Sequence, residues 1–132
     1  MREILFRARD KGTDEWVYGY YYENPSPFHK GKECSIFDDK TISKYSVYPE
    51  TIGQYTGLTD KNGTKIFEGD ILKHNFDDGF YDLLEVIYDN ELAKFQYRDV
   101  KMKGFIFDMV VDIETVVGNI HDNPELLKGA EQ

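Results

Sequence analysis

A chain of 132 residues has about the length of one domain, and with 40% hydrophobic and 15% aromatic residues it is too apolar to stay disordered. Its net charge of −9 sets it against phosphate backbones and anionic membrane surfaces, both of which select for the opposite balance. A single cysteine, Cys34, excludes an internal disulfide framework.

The charge is unevenly placed. Residues 1–66 hold 10 Lys/Arg and 10 Asp/Glu, whereas residues 67–132 hold 6 and 15. The acidic half reads as a solvated surface or, more sharply, as a face for a basic partner or a mimic of DNA. The start, Met1-Arg2-Glu3-Ile4-Leu5-Phe6-Arg7, lacks the apolar core of a signal peptide. No run approaches the roughly 20 apolar residues of a membrane-spanning helix. The expected compartment is the cytoplasm.

Residues 2–9 form a short apolar core flanked by charges, and Asp10-Lys11-Gly12-Thr13-Asp14 breaks it. The run Trp16-Val17-Tyr18-Gly19-Tyr20-Tyr21-Tyr22 is aromatic and bounded by turn residues, which predicts a strand and, with residues 2–9, an opening hairpin. Asn24-Pro25-Ser26-Pro27 ends that strand, because each proline lacks an N–H and restricts its predecessor. From Phe28 to Thr41 the pattern is weak and predicts a partly ordered excursion, with a short strand near Cys34–Phe37 and a turn at Asp38-Asp39. Tyr45 to Tyr48 reads as a strand closed by Pro49.

Asp60-Lys61-Asn62-Gly63 is the clearest local signal, since Asn-Gly between apolar flanks marks a hairpin. Residues 52–58 and 64–67 are its arms, and Glu68-Gly69-Asp70 turns the chain again into residues 71–74. Phe76 to Phe80 is a further turn. Residues 83–89 and 92–98 fit a hairpin about Asn90-Glu91 better than the alternative, a helix over 83–97, with Ala93, Phe95 and Tyr97 alternating against Lys94, Gln96 and Arg98 as the wet face. Residues 104–107 and 109–111 are short apolar runs, and 115–120 a last strand. Asn123-Pro124-Glu125 opens a short helix, with asparagine as N-cap and proline at the first helical position. The expected architecture is one mainly β domain over residues 1–132: short bent strands in a small barrel or a meander of hairpins, with a short C-terminal helix.

Three segments together resemble the YopX family: Met1-Arg2-Glu3-Ile4-Leu5-Phe6-Arg7-Ala8-Arg9-Asp10-Lys11; the run from Pro49 to Ile71 that contains Gln54-Tyr55-Thr56-Gly57-Leu58 and Glu68-Gly69-Asp70-Ile71; and Val116-Val117-Gly118-Asn119-Ile120-His121-Asp122-Asn123-Pro124-Glu125-Leu126-Leu127. One departure is Arg9, where members often carry tryptophan, which bears on packing there. The resemblance implies a mainly β fold and a phage or prophage origin, hence a bacterial host cell. It brings no established activity, cofactor or catalytic residue.

Turn chemistry accounts for the polar residues of the middle segment. Gly57, Gly63 and Gly69 supply conformations strained for other residues, and Asp60 and Asp70 suit hydrogen bonds to nearby backbone. Metal binding rests on His74 near Asp77 and Asp78, on His121 beside Asp122, and on the isolated His29; the spacing is unspecific. Cys34 lies outside any nucleophile motif, and neither a phosphate-binding glycine loop nor a GxSxG elbow occurs. The aromatic run with Arg2, Arg7 and Arg9 nearby allows base stacking, although the overall charge opposes it; packing in a core or between subunits is the alternative. No catalytic, cofactor-binding or metal-binding residue is assigned. The expectation is a non-enzymatic protein that binds a protein partner or itself, with nucleic-acid contact and a carboxylate/histidine metal-dependent hydrolase as alternatives.

Overall fold

The computed structural model describes residues 2–25, 32–41 and 43–128. The chain divides into two compact units, Met1–Tyr55 and Thr56–Gln132.

In the first unit, β1 (Phe6–Arg9) and β2 (Trp16–Pro25) form the expected antiparallel hairpin, with Arg7 opposite Tyr18 and Arg9 opposite Trp16. Asp10 shapes its turn: the carboxylate accepts the Gly12 N–H at 3.2 Å and the Thr13 hydroxyl at 3.0 Å. β3 (Lys32–Asp38) pairs with β2 from Gly19–Asp38 to Pro25–Lys32, and β4 (Lys44–Ser46) pairs with β3. The strand expected near Cys34–Phe37 is therefore longer than its pattern suggests. Ser35 is buried and Phe37 lies on the face opposite the core, which disguises the alternation. Phe28 to Gly31 lie outside the described residues. After a 3-10 turn (Pro49–Thr51), β5 (Gly53–Thr59) begins beside β1.

Alternation then decides burial. Ala8, Cys34, Ile36 and Val47 form the core of this unit, with Phe6, Val17, Tyr21, Tyr45 and Ile52 packed around them. Each such large side chain withdrawn from water contributes roughly 1.5–3 kcal/mol. Gly19 sits where β2 and β3 come closest, and a Cβ there would overlap the carbonyl of Phe37. Only glycine permits that approach.

In the second unit, the far half of β5 pairs with β6 (Lys65–Phe67) across the Asn62-Gly63 turn. β7 (Asp70–Asn75), β8 (Tyr81–Asp89), β9 (Lys94–Asp99), β10 (Ile106–Asp108) and β11 (Thr115–Asn119) form a five-stranded antiparallel sheet, ordered β10-β9-β8-β7-β11. Gly63 and Gly69 have φ of 84° and 91° in their turns, and Gly57 has a φ of 90° within β5. Ile66, Leu72, Leu84, Val86 and Tyr97 form the core, flanked by Phe95, Met109, Val111 and Val116.

The meander of hairpins is what the chain adopts, not the barrel. β11 joins beside β7, at the opposite edge from β10, and no pairing among the described residues closes the sheet. Two local expectations also change. Ala93 belongs to the β8–β9 turn at a φ of 54°, and Gln96, assigned to the wet face, is buried. The helix α1 (Glu125–Lys128) forms, but the Asn123 side chain turns back: its Oδ1 accepts the Asn119 N–H at 3.2 Å.

Candidate functional site

The aromatic run of β2 is split by the pleat. Val17 and Tyr21 face the core, which leaves Trp16, Tyr18, Tyr20 and Tyr22 on the other face. Tyr18, Tyr20 and Tyr22 are 43%, 58% and 48% exposed, a row of three rings along one strand. Spacing between alternate residues of a strand is about 6.5–7 Å. β2 is hydrogen-bonded on both sides, to β1 and β3, so the backbone beneath the row is fixed.

The row has a charged end. The Arg7 guanidinium lies 4.8 Å from the Trp16 ring centroid and that of Arg9 lies 5.4 Å away. Both cations are drawn to the indole face. Arg9 thus packs on the tryptophan of the facing strand. At the other end Tyr22 meets Phe37 edge-on, with centroids 6.0 Å apart and planes at 74°, a favoured aromatic geometry. Beneath the sheet the Tyr21 hydroxyl donates to Cys34 Sγ at 3.4 Å. Burial first, then this thiol, pushes the Tyr21 hydroxyl well above the usual tyrosine range. Cys34 itself is buried. A thiol so enclosed is placed for packing rather than attack.

Among the described residues, the histidines and acids singled out by sequence do not converge. His74, on β7, pairs through Nδ1 with Glu114 Oε1 at 3.0 Å and meets the Phe76 ring at 4.8 Å. Asp78 instead accepts the Phe80 N–H at 3.0 Å within the β7–β8 turn. Asp122 accepts the Asn119 amide at 3.0 Å in the turn after β11, beside His121. His29 lies outside the described residues. Among the described residues no group of three or more His, Cys, Asp or Glu could hold a metal ion.

Three buried carboxylates that sequence left to turns, or passed over, hold the second unit together. Asp60 accepts the N–H groups of Asn62 and Thr64 at 2.9 Å each, and that of Val116 at 3.0 Å, tying its turn to β11. Burial pushes the Asp60 carboxyl up, but the Val116, Thr64 and Asn62 N–H groups outweigh it and hold the group below its ordinary value. Glu114 behaves alike: burial opposes ionisation, and the Asp112 N–H, its own N–H and His74 more than offset it. Asp70 accepts the Phe67 N–H at 2.7 Å across the Glu68-Gly69 corner. Asn119 organises the last turn, its Oδ1 accepting from His121 and Asp122 at 2.9 and 2.8 Å.

A cleft of about 250 Å³ is lined by Glu85, Arg98, Asp99, Val100, Lys103 and Leu127. Its acids are already engaged. Arg98 Nη2 reaches both Glu85 oxygens at 3.0 and 3.1 Å, and Asp99 accepts the Lys101 and Met102 N–H groups.

The class is thus a mainly β protein of two antiparallel sheets whose buried acids serve the backbone and whose aromatic side chains stand partly in the open. The chain matches the family model described as YopX protein over residues 5–128, and it belongs to the YopX family. It is similar to the crystal structure of protein EF1440 from Enterococcus faecalis, with 27% identity, a TM-score of 0.55, and coverage of 96% of this chain and 99% of that one. No curated protein matches.

Proposed function

We propose that this YopX-family protein is a non-enzymatic phage or prophage accessory protein that works by binding another protein chain through the tyrosine row of β2. The observation that carries the reading is the exposure of Tyr18, Tyr20 and Tyr22 on one face of a strand paired on both sides. Tyrosine combines a large apolar ring with a hydroxyl that stays satisfied in water or at an interface, and it is enriched at protein–protein contacts. A strand fixed on both edges presents those rings with little ordering left to do, which lowers the entropic cost of association.

The test is affinity capture from host extract with the wild-type protein and with a Tyr18→Ser/Tyr20→Ser/Tyr22→Ser variant. The expected result is a defined partner held by the wild type and lost by the variant, with an unchanged far-ultraviolet circular-dichroism spectrum. A partner retained equally by both forms overturns the assignment of the surface.

A further inference from the structure

We propose that the tip of the β7–β8 hairpin is a second docking surface, and that it takes an arginine-bearing segment of a partner chain. This goes beyond the tyrosine row: it lies in the other unit and uses different rings.

The pleat sets the surface. His74 stands opposite Asp82 in the ladder, and the Phe76 N–H donates to the Phe80 carbonyl at 2.8 Å. Alternate residues of a strand share a face. His74, Phe76, Phe80 and Asp82 therefore continue the face that carries Leu72 and Leu84 of the core. The core stops short of the tip, where Phe76 is 45% and Phe80 73% exposed. The segment before β11 joins this end. Glu114 pairs with His74 at 3.0 Å and accepts the Asp112 N–H at 2.7 Å, which brings exposed Asp112 and Ile113 alongside.

Charge selects the occupant. Asp77 and Asp78 are exposed in the turn, Asp82 is half-buried beside it, and Asp78 is engaged by a backbone N–H, that of Phe80. Among the described residues none of Asp77, Asp78, Asp82 and Asp112 is in an ion pair, whereas Glu85 and Asp108 of the same sheet are matched by Arg98 and Lys94. The base at this end, His74, is already taken by buried Glu114. Uncompensated carboxylates thus rim two exposed phenyl rings. The opposite face of the hairpin shows what such rings hold: Lys73 Nζ lies 4.3 Å from the Tyr81 ring centroid, a cation on an aromatic face. Over Phe76 and Phe80 no Lys or Arg of the described residues is so placed. Arginine meets both demands at once, because its planar guanidinium stacks on a ring while its N–H fork donates to a carboxylate. Lysine, a compact and strongly hydrated charge, matches that geometry less well. An anionic ligand would face the acids, and a wholly apolar one would bury them unpaired, which is costly.

Fluorescence anisotropy of a labelled Gly-Arg-Gly-Arg-Gly-Arg peptide titrated with the full chain tests this, with the lysine version of the peptide as comparison. The arginine peptide is expected to bind, and more tightly than the lysine one. Phe80→Ser leaves the net charge untouched and should weaken binding about fivefold; Asp77→Asn/Asp82→Asn should weaken it at least as much. Glu91→Gln/Glu125→Gln removes the same charge beyond the far ends of β8 and β11 and should bind as the wild type does. The triple tyrosine variant should also bind normally, which separates this surface from the row of β2. Circular dichroism checks that each variant keeps the wild-type fold. No binding, binding indifferent to Phe80→Ser, or an equal loss in the Glu91/Glu125 variant overturns the proposal. A loss in the tyrosine variant alone would move the peptide to β2 and overturn it too.

Discussion

Asp60 shows how much of this structure depends on single side chains. Its carboxylate is buried and accepts three backbone N–H groups, one of them 56 residues away. Replacing it by asparagine removes the charge and one good acceptor, and should cost about 1–3 kcal/mol at neutral pH. Folding lowers the Asp60 carboxyl below its ordinary value, so its stabilisation is present above the unfolded value of about 4 and disappears as pH falls through the lower folded value. Melting curves should therefore show wild type and Asp60→Asn well separated at pH 7 and converging in acid; an equal gap at both pH values contradicts the assignment. Tyr97 makes the converse case. Its hydroxyl is buried without a hydrogen-bond partner among the described residues, and burial, then the Glu114 charge, raises it well above the tyrosine range. Tyr97→Phe deletes an unsatisfied group from a core that keeps its shape, so the melting temperature should hold or rise, by up to about 1 kcal/mol of stability. A loss larger than that would mean the hydroxyl has a partner. Neither residue's role is legible locally: sequence shows Asp60 as a turn former, but not that Val116 or the His74–Glu114 pair, separated by 40 residues, completes the arrangement.

At the scale of the element, sequence reads best where the turn dictates the strands. Asn62-Gly63 and Glu68-Gly69-Asp70 place two reversals, and β5, β6 and β7 follow from them. β3 is less legible because burial of Ser35 and the outward placing of Phe37 blur a period of two. The fate of β2 could be read only as far as its strand character; which rings face outward depends on the register with β1 and β3. That register also bears on nucleic-acid contact. Arg7 and Arg9 lie over Trp16, and the first unit carries eight Lys/Arg against nine Asp/Glu, a balance that does not favour a phosphate backbone. Trp16 emission should stay unchanged when single-stranded DNA is added at low salt. Quenching that salt reverses would restore base stacking as the role of this strand.

For the whole molecule, the acidic excess falls almost entirely on the second unit, with eight Lys/Arg against sixteen Asp/Glu. No helix among the described residues is long and apolar enough to cross a membrane. The family match runs across both units, from residue 5 to 128. We propose on that ground that residues 1–132 fold as one domain, which calorimetry would register as a single cooperative transition; two separable transitions would assign each unit its own stability. The proposed role lies on the surface rather than in the core: we propose that the tyrosines of β2 meet the partner, while the buried Asp60 and Asp70 hold backbone N–H groups. Hydroxyl-radical footprinting of the protein alone and with its captured partner tests this most directly. Protection confined to Tyr18, Tyr20 and Tyr22, with buried Tyr97 unchanged, is the predicted result; a footprint that leaves those three rings as reactive as before would contradict it.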